Sequence, residues 1–246
     1  YWQLRQPNLD FVAIPNQKAA SLAFANNGQQ LIGIDQNKKP FIVDWETKKV
    51  TKISTDESYE HLTISPDGLY FALATHSSYA SPQKAQLEIR SIRKPNQVQR
   101  RAFIPSSMEG NSFEHIQWLN NGEIASILNT NSLVFWKVQD LSSRTIIFDY
   151  FGGWIAANLF SDDGKWLVYQ WGSSSGSAIS LHRINKEKTK EIQGFDDIQT
   201  TYANLGFAND NKHFWQIADD NVVYQWNVLS PTKPVASLGT SGLNYQ

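Results

Sequence analysis

Apolar and polar residues alternate along this chain in short runs, and the runs come in groups of four. SLAFA (21–25), QLIGI (30–34), PFIVDW (40–45) and VTKIS (50–54) make up one group. A two-residue period places alternate side chains on opposite faces of a half-buried strand. No stretch carries a convincing helical period. The break between the first two runs of each group has a common form: FANNG (24–28), ISPDG (64–68), WLNNG (118–122), SDDG (161–164, after Phe160) and FANDN (207–211). Gly, Asn and Asp adopt the positive φ of a tight hairpin at little steric cost. Gly28, Gly68, Gly122 and Gly164 are therefore read as turn positions.

A second landmark keeps step with these turns. The segments YWQL, IVDWET, LEIRSI, LVFWKV, ISLHRI and VYQWNV align on Trp2, Trp45, Arg90, Trp136, His182 and Trp226, spaced by 43, 45, 46, 46 and 44 residues. Four short strands per period, repeated along the whole chain, predict an all-β fold: a β-propeller of four-stranded blades. One small twisted sheet cannot bury both its faces, and stacking against neighbours does. The expected blades are residues 1–17 (partial), 18–57, 58–109, 110–152, 153–200 and 201–246, all in one domain. That is about five complete blades plus half of one, so the parent ring is expected to hold six or seven. The sequence does not begin with Met, and its only Met is Met108, which suggests a piece of a longer protein.

The order of turn, strand and Trp-bearing strand resembles the WD-repeat propellers, with ISPDG matching the turn between their first two strands. The motifs are worn. No copy has Trp-Asp, since the tryptophans precede Gln3, Glu46, Lys137 and Asn227, and the opening Gly-His pair is missing. The long loops THSSYASPQK (75–84) and GSSSGS (172–177) are similar to those of looser, TolB-type propellers. With strands lettered a to d in chain order, the resemblance implies that the d–a and b–c connections share one face. The SPDG-type turns lie on the other. It also implies a non-enzymatic scaffold for protein or peptide recognition within a multidomain protein.

Composition narrows the chemistry. Lys plus Arg is 22 and Asp plus Glu is 23, giving a net charge of −1 and no global pull toward nucleic acid or anionic membranes. There is no cysteine, which excludes disulfides, thiolate metal sites and cysteine nucleophiles. No apolar run has the length of a membrane span. The compartment is left open, with the cytoplasm slightly favoured. The histidines His61, His76, His115, His182 and His213 show no zinc-site spacing. The acid pairs Asp162-Asp163 and Asp219-Asp220 coincide with expected turns. No nucleophile elbow or phosphate-binding glycine loop is present, so no catalytic residue, metal or cofactor is assigned. The most basic run, RSIRKPNQVQRR (90–101), is expected to span a solvated c–d connection.

Aromatic residues mark the expected recognition surface. The d–a and b–c connections receive Tyr59, His76, Tyr79, Tyr150, Trp154, Trp171 and Tyr202, and FGGWI (151–155) sets a tryptophan after two glycines. Tyr and Trp combine a large apolar area with a polar tip, which suits an interface anchor. The competing readings are the propeller part of an enzyme, either a hydrolase or a channel-metal type, and a regulatory propeller attached to a kinase or NTPase. A channel site would draw on Glu114, His115, Asn158 and Asn204.

Overall fold

The computed structural model describes residues 19–25, 28–75, 85–104, 112–128, 132–147, 154–173, 176–185, 188–192, 204–217, 222–231 and 233–239. They form twenty strands in five antiparallel sheets of four, each a simple meander. Blade one comprises β1 (Ala19–Phe24), β2 (Gln30–Asp35), β3 (Pro40–Asp44) and β4 (Val50–Lys52). Blade two comprises β5 (Tyr59–Ile64), β6 (Tyr70–Thr75), β7 (Gln86–Ser91) and β8 (Lys94–Phe103). Blade three is β9 (Phe113–Trp118), β10 (Glu123–Leu128), β11 (Ser132–Lys137) and β12 (Ser143–Ile147). Blade four is β13 (Trp154–Phe160), β14 (Trp166–Ser173), β15 (Gly176–Ile184) and β16 (Thr189–Ile192). Blade five is β17 (Asn204–Phe207), β18 (His213–Ile217), β19 (Val222–Asn227) and β20 (Ala236–Gly239). The partial blade expected over 1–17, with Trp2, lies outside the described residues.

The turn motif does what its residues suggest. Gly28, Gly68, Gly122 and Gly164 all have positive φ, and Asn211 takes that conformation in blade five. In SPDG the Ser65 hydroxyl donates to Asp67 Oδ1 at 2.6 Å, and the same carboxylate accepts the Leu69 N–H. Ser161 and Asp163 repeat the arrangement in blade four.

The strands stack blade on blade through their apolar faces. Ile32, Ile34 and Ile42 of blade one meet Tyr59, Phe71 and Leu73 of blade two. Ala72, Leu87 and Ile89 of blade two meet Ile116, Trp118 and Trp136 of blade three. Phe135 and Ile127 of blade three meet Phe160, Leu167 and Tyr169 of blade four, which in turn packs Val168 and Leu181 on Phe214 and Trp226 of blade five. Polar latches reinforce the stack. The Gln117 side chain both donates to the Phe160 carbonyl and accepts the Phe160 N–H. The Trp118 N–H donates to Thr63 Oγ1, and Ser54 N–H to Asn96 Oδ1. The Asn120 N–H reaches the Asp162 carbonyl at 2.8 Å.

A recurring irregularity was not visible in the sequence. The ladder between the first two strands slips one residue in four blades, between Ala19 and Ser21, Tyr59 and His61, Phe113 and His115, and Ile155 and Ala157. Such bulges sharpen the local twist of a strand. Large exposed apolar side chains gather on the outward faces of the end blades. Leu22 and Phe24 sit on blade one, and Trp215, Ile217 and Leu238 on blade five.

Two sequence expectations need correcting. The ladder places Val43, Arg90, Trp136, His182 and Trp226 in one equivalent slot, opposite Leu31, Phe71, Ile124, Leu167 and Phe214. Trp45 lies two residues past that slot, beyond the end of β3, and is 43% exposed. Alignment on the tryptophan itself hid a shift that the strand pairing reveals. The run at 90–101 is likewise no loop, because the ten-residue strand β8 occupies most of it.

Candidate recognition surfaces

In a meander of this kind the a–b and c–d turns lie at one end of every sheet, and the b–c and d–a connections at the other. Of the aromatic candidates at the second end, His76, Tyr79, Tyr150 and Tyr202 lie outside the described residues. Trp154 opens β13 and Trp171 lies near the end of β14. Trp154 pairs with Gly172 and Ile155 with Trp171, so the register brings both tryptophans to one end of blade four.

Tyr59 is different. It is fully buried, and its hydroxyl donates to Glu88 Oε2 at 2.7 Å. Its place at the start of a strand suggested an outward residue, but the polar partner it needs lies inside, between blades one and two. Glu88 is itself wholly buried. Its Oε2 accepts from Arg90 Nε and Nη2, and its Oε1 from Arg101 Nε and Nη2. Arg90 also donates to the Pro95 carbonyl. Burial would raise the Glu88 carboxyl, but the Tyr59 hydroxyl and the two guanidiniums outweigh it and hold the group below its ordinary value. Tyr59 is pushed up to about 12, chiefly by burial and also by the carboxylate it faces. This cluster is the charged replacement for a tryptophan brace. In blade three Trp136 Nε1 donates to Ser126 Oγ, and in blade five Trp226 Nε1 donates to Gln216 Oε1.

The innermost strands carry His61 and His115. His61 Nε2 lies 2.8 Å from the Phe113 carbonyl, and the His115 ring stacks on Phe160. His115 is half-buried overall, yet its Nε2 is sealed from solvent without a hydrogen-bond partner. Burial first, and repulsion from His61 second, press its pKa down to about 4, against 6.5 for the free side chain. Between these two values the unfolded chain binds a proton that the folded one rejects. Stability is therefore complete above pH 6.5 and falls as the pH drops toward 4, by at most about 3 kcal/mol. Urea unfolding across this window should show the loss, and His115→Gln should flatten it. An unchanged slope would remove His115 as its source. Among the described residues no group of three or more His, Asp or Glu is placed to hold a metal ion.

The turn end carries clefts between blades. One of about 790 Å³ lies between blades three and four, and another of about 390 Å³ between blades one and two. No sequence motif marks the first. Its signal is small: the blade-three hairpin closes one residue sooner, with Leu119 N–H donating to the Glu123 carbonyl, whereas Ser65 bonds Tyr70 and Ser161 bonds Trp166.

No family model and no curated protein matches the sequence. Solved structures do match its fold. One is the β-propeller domain of Cps50 (Swd1) from Myceliophteria thermophila, with a TM-score of 0.59 and 12% identity over 86% of this chain and 65% of that one. Another is U3-55K, with a TM-score of 0.63 and 16% identity over 92% of this chain and 65% of that one. The chain thus spans about 65% of the length of each. At such identities the likeness is one of fold, and the fold is a β-propeller.

Proposed function

We propose that this propeller is a non-catalytic scaffold that binds a protein or peptide partner, as one part of a multidomain protein. The observation that carries this reading is the register of blade four, which gathers Trp154 and Trp171 at the connection end of a latched stack of sheets. Tryptophan is among the residues most enriched in binding hot spots. His76, Tyr79 and Tyr202 complete the proposed surface, and Tyr59 does not belong to it. The complete ring is proposed to hold six or seven blades, the additional sheet covering the apolar faces around Phe24 and Trp215.

The test is capture of a partner by the full-length protein, followed by affinity measurement with purified components. Trp154→Ala should weaken binding at least about tenfold, the scale of a hot-spot truncation. A partner whose affinity survives Trp154→Ala, Trp171→Ala and replacement of the 76–79 loop would place recognition elsewhere.

A further inference from the structure

We propose that the cleft between blades three and four is a second binding site, which takes an extended peptide segment through a single Asp or Glu side chain. It lies at the turn end of the sheets, away from Trp154, and does not rest on the function proposed above.

The cleft is preformed. Its walls are the Asn121–Glu123 turn and the Lys137 and Arg144 strand ends of blade three, facing Asp163–Lys165 of blade four. The two turns are tied by the Asn120–Asp162 backbone hydrogen bond. Gly164 sits so close to Leu119 that a Cβ there would lie 2.7 Å from Leu119 Cδ1, and its φ is +69°. A side chain at this position would have to displace the Leu119 side chain and would strain the backbone. A volume of about 790 Å³ suits a few residues of extended chain.

The charges favour an acid. The two carboxylates in the cleft are already engaged: Glu123 pairs with Arg144 at 3.2 Å and accepts from Asn121, and Asp163 pairs with Lys165 at 3.0 Å and accepts from Ser161. Lys137 forms no ion pair among the described residues. The Arg144 guanidinium stacks on the Phe135 ring at 3.9 Å, and its Nη1 is buried without an acceptor. A donor that has lost water and found no partner gains by turning toward an incoming carboxylate. Lys165 also lines the cleft, so its charged lining holds three cations against two acids. Glu123 and Asp163 remain close by, so a dianionic phosphate or a nucleic-acid backbone would meet more repulsion than one carboxylate does.

The probe is an N-acetylated, C-amidated tetrapeptide, Ala-Glu-Leu-Ala, titrated into the full isotopically labelled chain at low salt and followed by amide NMR shifts. Shifts should centre on Gly122, Lys137 and Gly164, and the Gln version of the peptide should bind at least about fivefold more weakly. The surface substitution Lys137→Glu, which leaves packing alone, should lower affinity about tenfold, and Arg144→Gln should do at least as much. Trp154→Ala should change nothing. The proposal is overturned if the Glu and Gln peptides bind alike, or if the shifts fall outside this cleft. It is equally overturned if inorganic phosphate or a single-stranded oligonucleotide binds here more tightly than the peptide.

Discussion

Replacing Glu88 with glutamine is expected to cost the fold about 3–5 kcal/mol, the largest single-residue loss involving charge. The reason lies in what remains. Arg90 has a side chain only 3% exposed, and in the variant it would keep its charge with no counter-charge beside it. Tyr59 would also lose the carboxylate that accepts its hydroxyl proton. Arg101 is the comparison, because its side chain is 43% exposed and Arg90 stays beside the acid, so Arg101→Gln should cost clearly less than Glu88→Gln. A rescue separates pairing from packing. The triple change Leu73→Ser, Glu88→Val and Arg90→Trp rebuilds in blade two the set Ser126, Val134 and Trp136 of blade three. Buried ion pairs replaced by well-packed apolar groups are often neutral or better, so most of the lost stability should return. Urea midpoints for the four proteins decide the matter. A Glu88→Gln midpoint equal to that of the wild type would mean the cluster braces nothing.

Trp136→Ala and Trp45→Ala occupy the same repeat position in the sequence, and they should behave very differently. Trp136 is 2% exposed, fills the junction between blades two and three, and satisfies its indole N–H on Ser126. Truncating it opens a cavity and leaves a hydroxyl short of a donor, for a cost of about 3–5 kcal/mol. Trp45 stands outside its strand and should cost less than about 1 kcal/mol. Val43 holds the slot in blade one, so Val43→Ala should exceed Trp45→Ala. The reverse order would restore the alignment made on tryptophan alone.

That pair shows how much of the fold the chain displays. Two-residue alternation and turn glycines are local signals, and they place the blades and hairpins well. The slot is a property of strand pairing, and a two-residue offset at Trp45 leaves no trace in composition or spacing. The same limit applies to Tyr59. Its position at the head of a strand implies exposure, whereas its burial follows from Glu88, 29 residues away. The basic run at 90–101 misled in a related way. Arg90 and Arg101 are bound to one buried acid, and charge patterning does not report partners across a ladder. At the turn end, the blade-three to blade-four cleft borders a hairpin one residue shorter than its counterparts, which WLNNG beside ISPDG scarcely betrays. The tryptophans of blade four are legible as residues, and their place at the same end of the sheet needs the register.

The blades stack in sequence order, and blades three, four and five are latched turn to turn. The chain has no cysteine, so introduced pairs report contact cleanly. Asn120 and Asp162 are joined by a backbone hydrogen bond at 2.8 Å, which holds their Cα atoms within disulfide reach. Asn120→Cys with Asp162→Cys should form an intramolecular bond on mild oxidation of the folded protein. Asn120→Cys with Asp210→Cys, which skips a blade, should not. A bond in the second pair, or two free and reactive thiols in the first, would contradict the stacking.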